Sequence, residues 1–372
     1  MSIGGTNSLI VSISVMIVTI AVSLCLNAIN PMNIIYYRPH EMFTIYDHDA
    51  GHWRYKQDID CKIEMPYGDL HAVAPKYVKS IEPREMLFQT DSLGFRNCHD
   101  YHGQKYILVG DSFLVGNGTT QGEILTEQLR NRYGIDTYNL SHSGNIKDYS
   151  KYVDTFDSIN GDNKYSLLLF LYEGNDFPVE KAVRYSATPT FMEKVRQVLM
   201  NYRHRLVSNT NVYRYTFSAI ADLRQRILLK KESRVIVQNV AGHSIAFYLS
   251  NIDVTRRDGI PENDETERYI GEMKDKIRHI FFIPTKYRVY SKFVNKFGLK
   301  GRSKLPNRQW EYVQKLGAKF DISVTNLTPE IMEESINLLQ HGLFTYWRDD
   351  THWNSHGIAV AARAVDKILN GH

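Results

Sequence analysis

The sequence predicts an α/β domain built on a doubly wound, parallel sheet. Three observations carry this expectation. Short runs such as "YILVG" (106–110) and "YSLLLFLY" (165–172) are apolar on both faces, as strands covered on both sides must be. Amphipathic stretches with helical spacing alternate with them. Polar clusters stand where the apolar runs end, which is where open parallel sheets place their sites.

Taken in order, residues 36–100 are rich in Pro, Gly, Asp, His and aromatics and show no helical period. They read as short strands and loops, a lead-in to the domain. "YILVG" is the first buried strand. Thr120-x-x-Glu123 has the form of a capping box, opening a helix through "ILTEQLRNRY" that Gly134 stops. "DTYNL" (136–140) is the second strand and "IKDYSKYVDTFDSI" the second helix. "YSLLLFLY" is the third strand. An insertion of residues 178–275 then breaks the rhythm. Between residues 181 and 235 it carries twelve Lys/Arg against three acidic residues, a net charge of +9. That is either a solvated helical face or a surface turned to anionic glycan or lipid head groups. "VIVQNVAGHSIAFYLSN" holds a strand or two, and "ERYIGEMKDKIRHI" reads as a helix. Residues 280–283 form a fourth strand ended by Pro284, and "FDISVTNLT" a fifth, leading through Pro329 into "EIMEESINLLQ". The last helix spans residues 357–369. The domain therefore covers residues 101–372, insertion included.

The chain has 372 residues, 43% hydrophobic and 23% charged, enough apolar material for a sizeable core. Its net charge of +4 is too mild to suggest nucleic acid, and no zinc-finger, basic-zipper or RNA-binding signature is present. Residues 9–29 contain no charge at all. About 21 residues of helix span roughly 31 Å, the thickness of a bilayer core. No Lys or Arg precedes the run and no small-x-small site follows, so an uncleaved anchor over residues 1–35 is favoured over a signal peptide. Cys25 lies in this run. Cys61 and Cys98 remain, as a disulfide if the domain lies outside the cytoplasm or as two free thiols.

Four polar clusters follow strands or precede the last helix: Ser112, "SHSGN" (141–145), "EGND" (173–176) and "RDDTHWN" (348–354). A serine nucleophile needs a base and a group that orients the base. His352 suits the first role, and Asp350, two residues earlier, can orient its far ring nitrogen. The developing oxyanion needs aimed donors. The Ser112 N–H, the Gly144 N–H and the Asn175 side chain are the candidates. Asp176 is expected to pin its loop, Trp353 and Asn354 to pack and fix theirs, and His142 and His356 to lie on the surface or behind the site. His48 and His52 have a spacing that would suit zinc on a helix, but Gly51 and the aromatic surroundings speak against a helix, and no metal or other cofactor is expected.

"GDSF", the glycine of "SHSGN", "GND" and "DTHWN", in this order, resemble the four blocks of the SGNH (GDSL-type) hydrolase superfamily. The resemblance covers residues 90–176 and 279–369. It implies a three-layer α/β/α sandwich with a flavodoxin-like five-stranded sheet, Ser112 as nucleophile, His352 as base, and Gly144 and Asn175 in the oxyanion hole. "TDSLGFRN" (90–97) is similar to a lead-in of membrane-anchored or secreted members. The C-terminal stretch ending in "DTHWN" is similar to the alginate O-acetyltransferase-like branch. Many members place the acid three residues before the histidine, which here is Asp349. That branch places it two before, so Asp350 is favoured. The order of blocks is that of ordinary SGNH hydrolases, and the likeness to the acetyltransferases is local. The implied activity is ester hydrolysis or O-acetyl transfer on an envelope polysaccharide or glycan. The implied setting is a single-pass membrane protein with an extracytoplasmic domain, with a membrane acyl-donor partner left open. The alternative is a glycan-binding or scaffolding subunit with a silent triad.

Overall fold

The structure, a computed structural model, describes residues 38–47, 49–161, 164–177, 234–257, 264–294 and 305–371, with residues 14, 17, 18 and 21. The expected anchor lies outside the described residues but for those four positions, and the basic stretch 181–233 lies outside them entirely. Among the described residues no helix is long and apolar enough to cross a membrane. The chain divides into two compact units, Met1–Met42 with Val183–Glu232 and Phe43–Ala182 with Ser233–His372. The second unit carries the sheet.

The lead-in is more ordered than strands and loops alone. Strands β1 (Thr44–Asp47) and β2 (His52–Tyr55) form one antiparallel hairpin. Strands β3 (Asp60–Met65) and β4 (Arg84–Gln89) form a second antiparallel pair, with a short helix α1 (Asp69–Val73) in the connection. The central sheet contains β5 (Tyr106–Val109), β6 (Thr137–Asn139), β7 (Ser166–Tyr172), β10 (Ile277–Ile283) and β11 (Val324–Asn326). Its spatial order is β11-β10-β7-β5-β6, and every neighbouring pair is parallel. Numbered along the chain, the five strands lie in the order 2-1-3-4-5, so the winding reverses between β5 and β7. A hairpin of β8 (Val235–Val240) and β9 (His243–Tyr248) is what the insertion contributes in strands among the described residues.

Because side chains alternate along a strand, each sheet strand feeds two cores. Leu108, Leu168, Phe170, Phe281 and Ile283 join residues of α3 (Leu125–Tyr133), α9 (Thr328–Leu339) and α10 (Ser355–Asn370). Ile107, Val109, Leu169, Ile280 and Phe282 join residues of α4 (Ile146–Asn160), α6 (Asp264–Met273) and α8 (Arg308–Phe320). The shorter helices α2 (Ser112–Val115), α5 (Leu249–Thr255) and α7 (Lys286–Tyr290) complete the order.

Two local expectations are corrected, and one left open is decided. Thr120 does not cap a helix: its hydroxyl accepts from Leu87 N at 2.9 Å, Gln121–Glu123 is a 3-10 turn, and α3 begins at Leu125. The capping box of this region belongs instead to Asn145 and Asp148 at the start of α4. The stretch "ERYIGEMKDKIRHI" is not all helix, because Ile277 onward pairs with β7 and α6 stops at Met273. Cys61 and Cys98 are both free thiols, and Cys98 Sγ is bonded within the Glu127–Arg130 pair.

Candidate active site

The site starts at the carboxyl end of β5. Asp111 is extended and caps α2, its Oδ1 accepting from Phe113 N at 2.9 Å. Ser112 is therefore the first residue of a helix at the winding reversal, where its N–H has no intrahelical acceptor. The far end of α2 is held by Arg96, a fully buried side chain that donates to the carbonyls of Val115, Gly116, Thr119 and Leu87. Burial pushes its guanidinium down to about 9. The "TDSLGFRN" lead-in thus fixes the helix that presents the serine.

The opposite side is a tight loop ahead of α10. Tyr346 and Trp353 form an antiparallel bridge, and Trp347 N donates to His352 O at 3.1 Å. Asn354 caps α10 through His356 N and Gly357 N and also donates to Phe344 O. Trp353 Nε1 reaches across to Phe113 O at 3.0 Å, tying the loop to α2. The result brings Ser112 Oγ to 2.8 Å from His352 Nε2, although 240 positions separate them. On the far side of the ring, His352 Nδ1 lies 2.6 Å from Asp350 Oδ1.

Asp349 has a different task. Its carboxylate accepts from Gly68 N, Glu82 N and Arg84, facing the lead-in and not the histidine. Burial raises its carboxyl above the usual range, against the pull of Arg84. Asp350 Oδ2 in turn accepts from Asp69 N at 3.1 Å and from Arg84 Nη2 at 3.0 Å. Asp69 closes the circuit by accepting from Thr351 N and Thr351 Oγ1. Chain and loop approach so closely that a Cβ at position 68 would lie 2.5 Å from Asp349 O and 2.7 Å from Asp350 Cβ. Behind the loop, buried Lys286 donates to the carbonyls of Trp347, Arg348 and Asp350. Burial lowers its ammonium to about 8, with Asp350, Asp69, Asp349 and Glu82 opposing.

Asn175 follows β7, and its Nδ2 donates to Asp111 Oδ2 at 3.0 Å. One of the two amide protons is thereby given to Asp111, the residue before Ser112. Asp176 pins the same loop through Tyr172 N and Tyr149 OH. Burial and then the Asp111 charge push its carboxyl well above the usual range. Gly144 stands just before the α4 cap, and a Cβ there would meet the Asp148 carboxylate at 2.8 Å. Its N–H makes no hydrogen bond among the described residues.

No family model and no curated protein significantly matches this chain.

Among the described residues one group of potential metal ligands gathers, Asp69, Asp350 and His352, with atoms within 4.8 Å of one another. Asp350 Oδ1 is bonded to His352 Nδ1, and the Asp69 carboxylate accepts from Thr351. The zinc spacing at 48–52 does not form a helical pair, since His52 opens β2 and its ring nitrogens contact Trp53 O and Thr155 Oγ1. His48 lies outside the described residues. His142 is not at the surface: it is buried against Tyr55, and burial lowers its imidazole to about 4. His356 is exposed. Sequence reasoning missed Gly68, Asp69, Arg84 and Lys286. Lys286 did carry a signal, as a polar residue just past the end of β10. The other three have none, because nothing local links them to the loop 347–352.

Proposed function

We propose that the chain is an SGNH-type serine esterase or O-acetyltransferase that acts on an acylated envelope polysaccharide or glycan. The observation that supports it best is the unbroken contact Ser112 Oγ–His352 Nε2–Nδ1–Asp350 at 2.8 and 2.6 Å. Ser112 Oγ attacks the ester carbonyl while its proton passes to His352 Nε2. Negative charge moves to the carbonyl oxygen, where the Ser112 N–H, the Gly144 N–H and the free amide proton of Asn175 can receive it. Collapse breaks the ester bond, and the leaving alkoxide takes the proton from Nε2. Water or a sugar hydroxyl then gives a proton to Nε2 and attacks the acyl-enzyme, and Ser112 regains its proton as the product leaves. Asp350 fixes the tautomer by accepting from Nδ1. In this reading the apolar run 9–29 anchors the protein, single-pass, with the domain on the extracytoplasmic side, and the basic stretch 181–235 faces an anionic glycan.

Mass spectrometry of the purified chain with an acetyl donor and candidate glycans tests this. Acetate release is the outcome for a hydrolase, and mass gained by the glycan the outcome for a transferase. Neither product, with no acyl adduct on Ser112, removes the enzymatic reading in favour of a glycan-binding subunit.

A further inference from the structure

Two adjacent buried carboxylates, Asp349 and Asp350, stand behind His352, yet only one faces its ring. Arg84 of β4 lies between them. Its Nη1 is 3.2 Å from Asp349 Oδ1 and its Nη2 is 3.0 Å from Asp350 Oδ2, and the side chain is 6% exposed. The guanidinium is itself fixed. It stacks on Trp347 at 4.3 Å, and Nη1 also donates to Glu82 O at 2.8 Å. Gly118 leaves it room, since a Cβ there would lie 3.0 Å from Nε and Nη2.

We propose that Arg84 is a positioning residue for the acyl chemistry: its fork holds the outer oxygen of Asp350 and thereby turns Oδ1 to His352 Nδ1. The inference rests on the serine-esterase reading above. The Arg84 charge offsets two buried carboxylates, and its fork fixes which oxygen of Asp350 faces the ring. Only a planar, forked donor reaches both acids at once, so lysine is not an equivalent. The titratable and charged groups around Asp350 are Asp349 and His352 on its own loop, Asp69 of α1, Arg84 of β4 and Lys286 of α7, with the Glu82–Arg348 pair beyond. Taking Arg84 away leaves this set more acidic, which favours the imidazolium. The acid limb of the rate profile then moves to higher pH.

The test uses the full chain and two readouts. One is the pH profile of kcat/KM on a chromogenic acetyl ester. The other is the low-field proton resonance of the His352–Asp350 bond, identified by its loss in His352→Gln. Arg84→Gln is expected to move the acid limb up by about one pH unit. It should lower kcat about 10- to 100-fold with little change in KM, and weaken the resonance. Arg84→Lys keeps the charge and loses the fork, so the limb should stay while kcat falls. A folded Arg84→Gln with limb and resonance unmoved overturns the proposal. Should Arg84→Gln not fold, Gly118→Ala crowds the guanidinium without removing it. It should weaken the resonance and lower kcat, and an unaltered resonance there overturns the proposal equally. A resonance that depends on Arg84 in a chain that turns over no ester and acylates no Ser112 upholds the positioning role and discards the esterase reading.

Discussion

The carboxylate of Asp111 caps α2 with one oxygen and holds the Asn175 amide with the other, so one side chain fixes both the helix that begins at Ser112 and the Asn175 amide. If that alignment serves catalysis, Asn175→Ala should lower kcat on an acetyl ester by about 10²–10³, the usual cost of one oxyanion donor. A loss under threefold would demote the amide. Ser112→Ala should leave the fold intact and remove acyl-enzyme formation. The two acids should separate cleanly. Asp350→Asn offers His352 a side chain that can favour the wrong tautomer, and kcat should fall by about 10³–10⁴. Asp349→Asn removes an acceptor of lead-in donors, so it should cost about 1–3 kcal/mol of stability with kcat held within about tenfold. Parallel rate and denaturant measurements on the two variants decide the assignment, and equal mild losses would leave His352 without a positioning acid.

The helix α10 shows how a cap serves a neighbouring site. Asn354→Ala removes the acceptor for His356 N and Gly357 N and the donor to Phe344 O, two residues from His352. The expected cost is about 1–2 kcal/mol of unfolding free energy, read by urea denaturation, with a fall in kcat as the loop loosens. Such helices and the strands β5, β7 and β10 were readable in advance because burial on both faces writes a continuous apolar run, and helix faces keep their period. The polar strand ends were readable for the same reason, as abrupt stops. Element edges were less so: the Thr120 hydroxyl was drawn to Leu87 of a distant strand, which no local pattern records. The clamp of the lead-in on the loop 347–352 was unreadable for a stronger reason. Its hydrogen bonds join residues 265 to 282 positions apart, and Gly68, Asp69 and Arg84 sit in a segment with no period of its own.

Three distant parts of the chain meet at the site: the lead-in at residues 68–84, Ser112, and the loop at 347–352, with Lys286 beneath them. The apolar run 9–29 adds a prediction of its own. The full chain should stay with carbonate-washed membranes and leave them in detergent, whereas release by carbonate would rule out a spanning anchor. The stability of the assembled unit should also carry the mark of Lys286. Its ammonium is lowered to about 8 when folded, by burial against the opposing acids, and returns to about 10.4 when the chain unfolds. Between those values the unfolded chain binds the extra proton, so this group makes stability rise with pH. Below pH 8 both states are protonated and the cost of burying the charge is fully present. Lys286→Met removes the titration, although it also strips donors from three carbonyls. The unfolding free energy of the natural chain minus that of Lys286→Met should therefore climb by on the order of 3 kcal/mol between about pH 8 and 10.5, on a baseline set by the lost hydrogen bonds. A difference that stays flat over that interval would mean that the ammonium is not held in a dry interior, and that the loop bearing His352 is open to water from below.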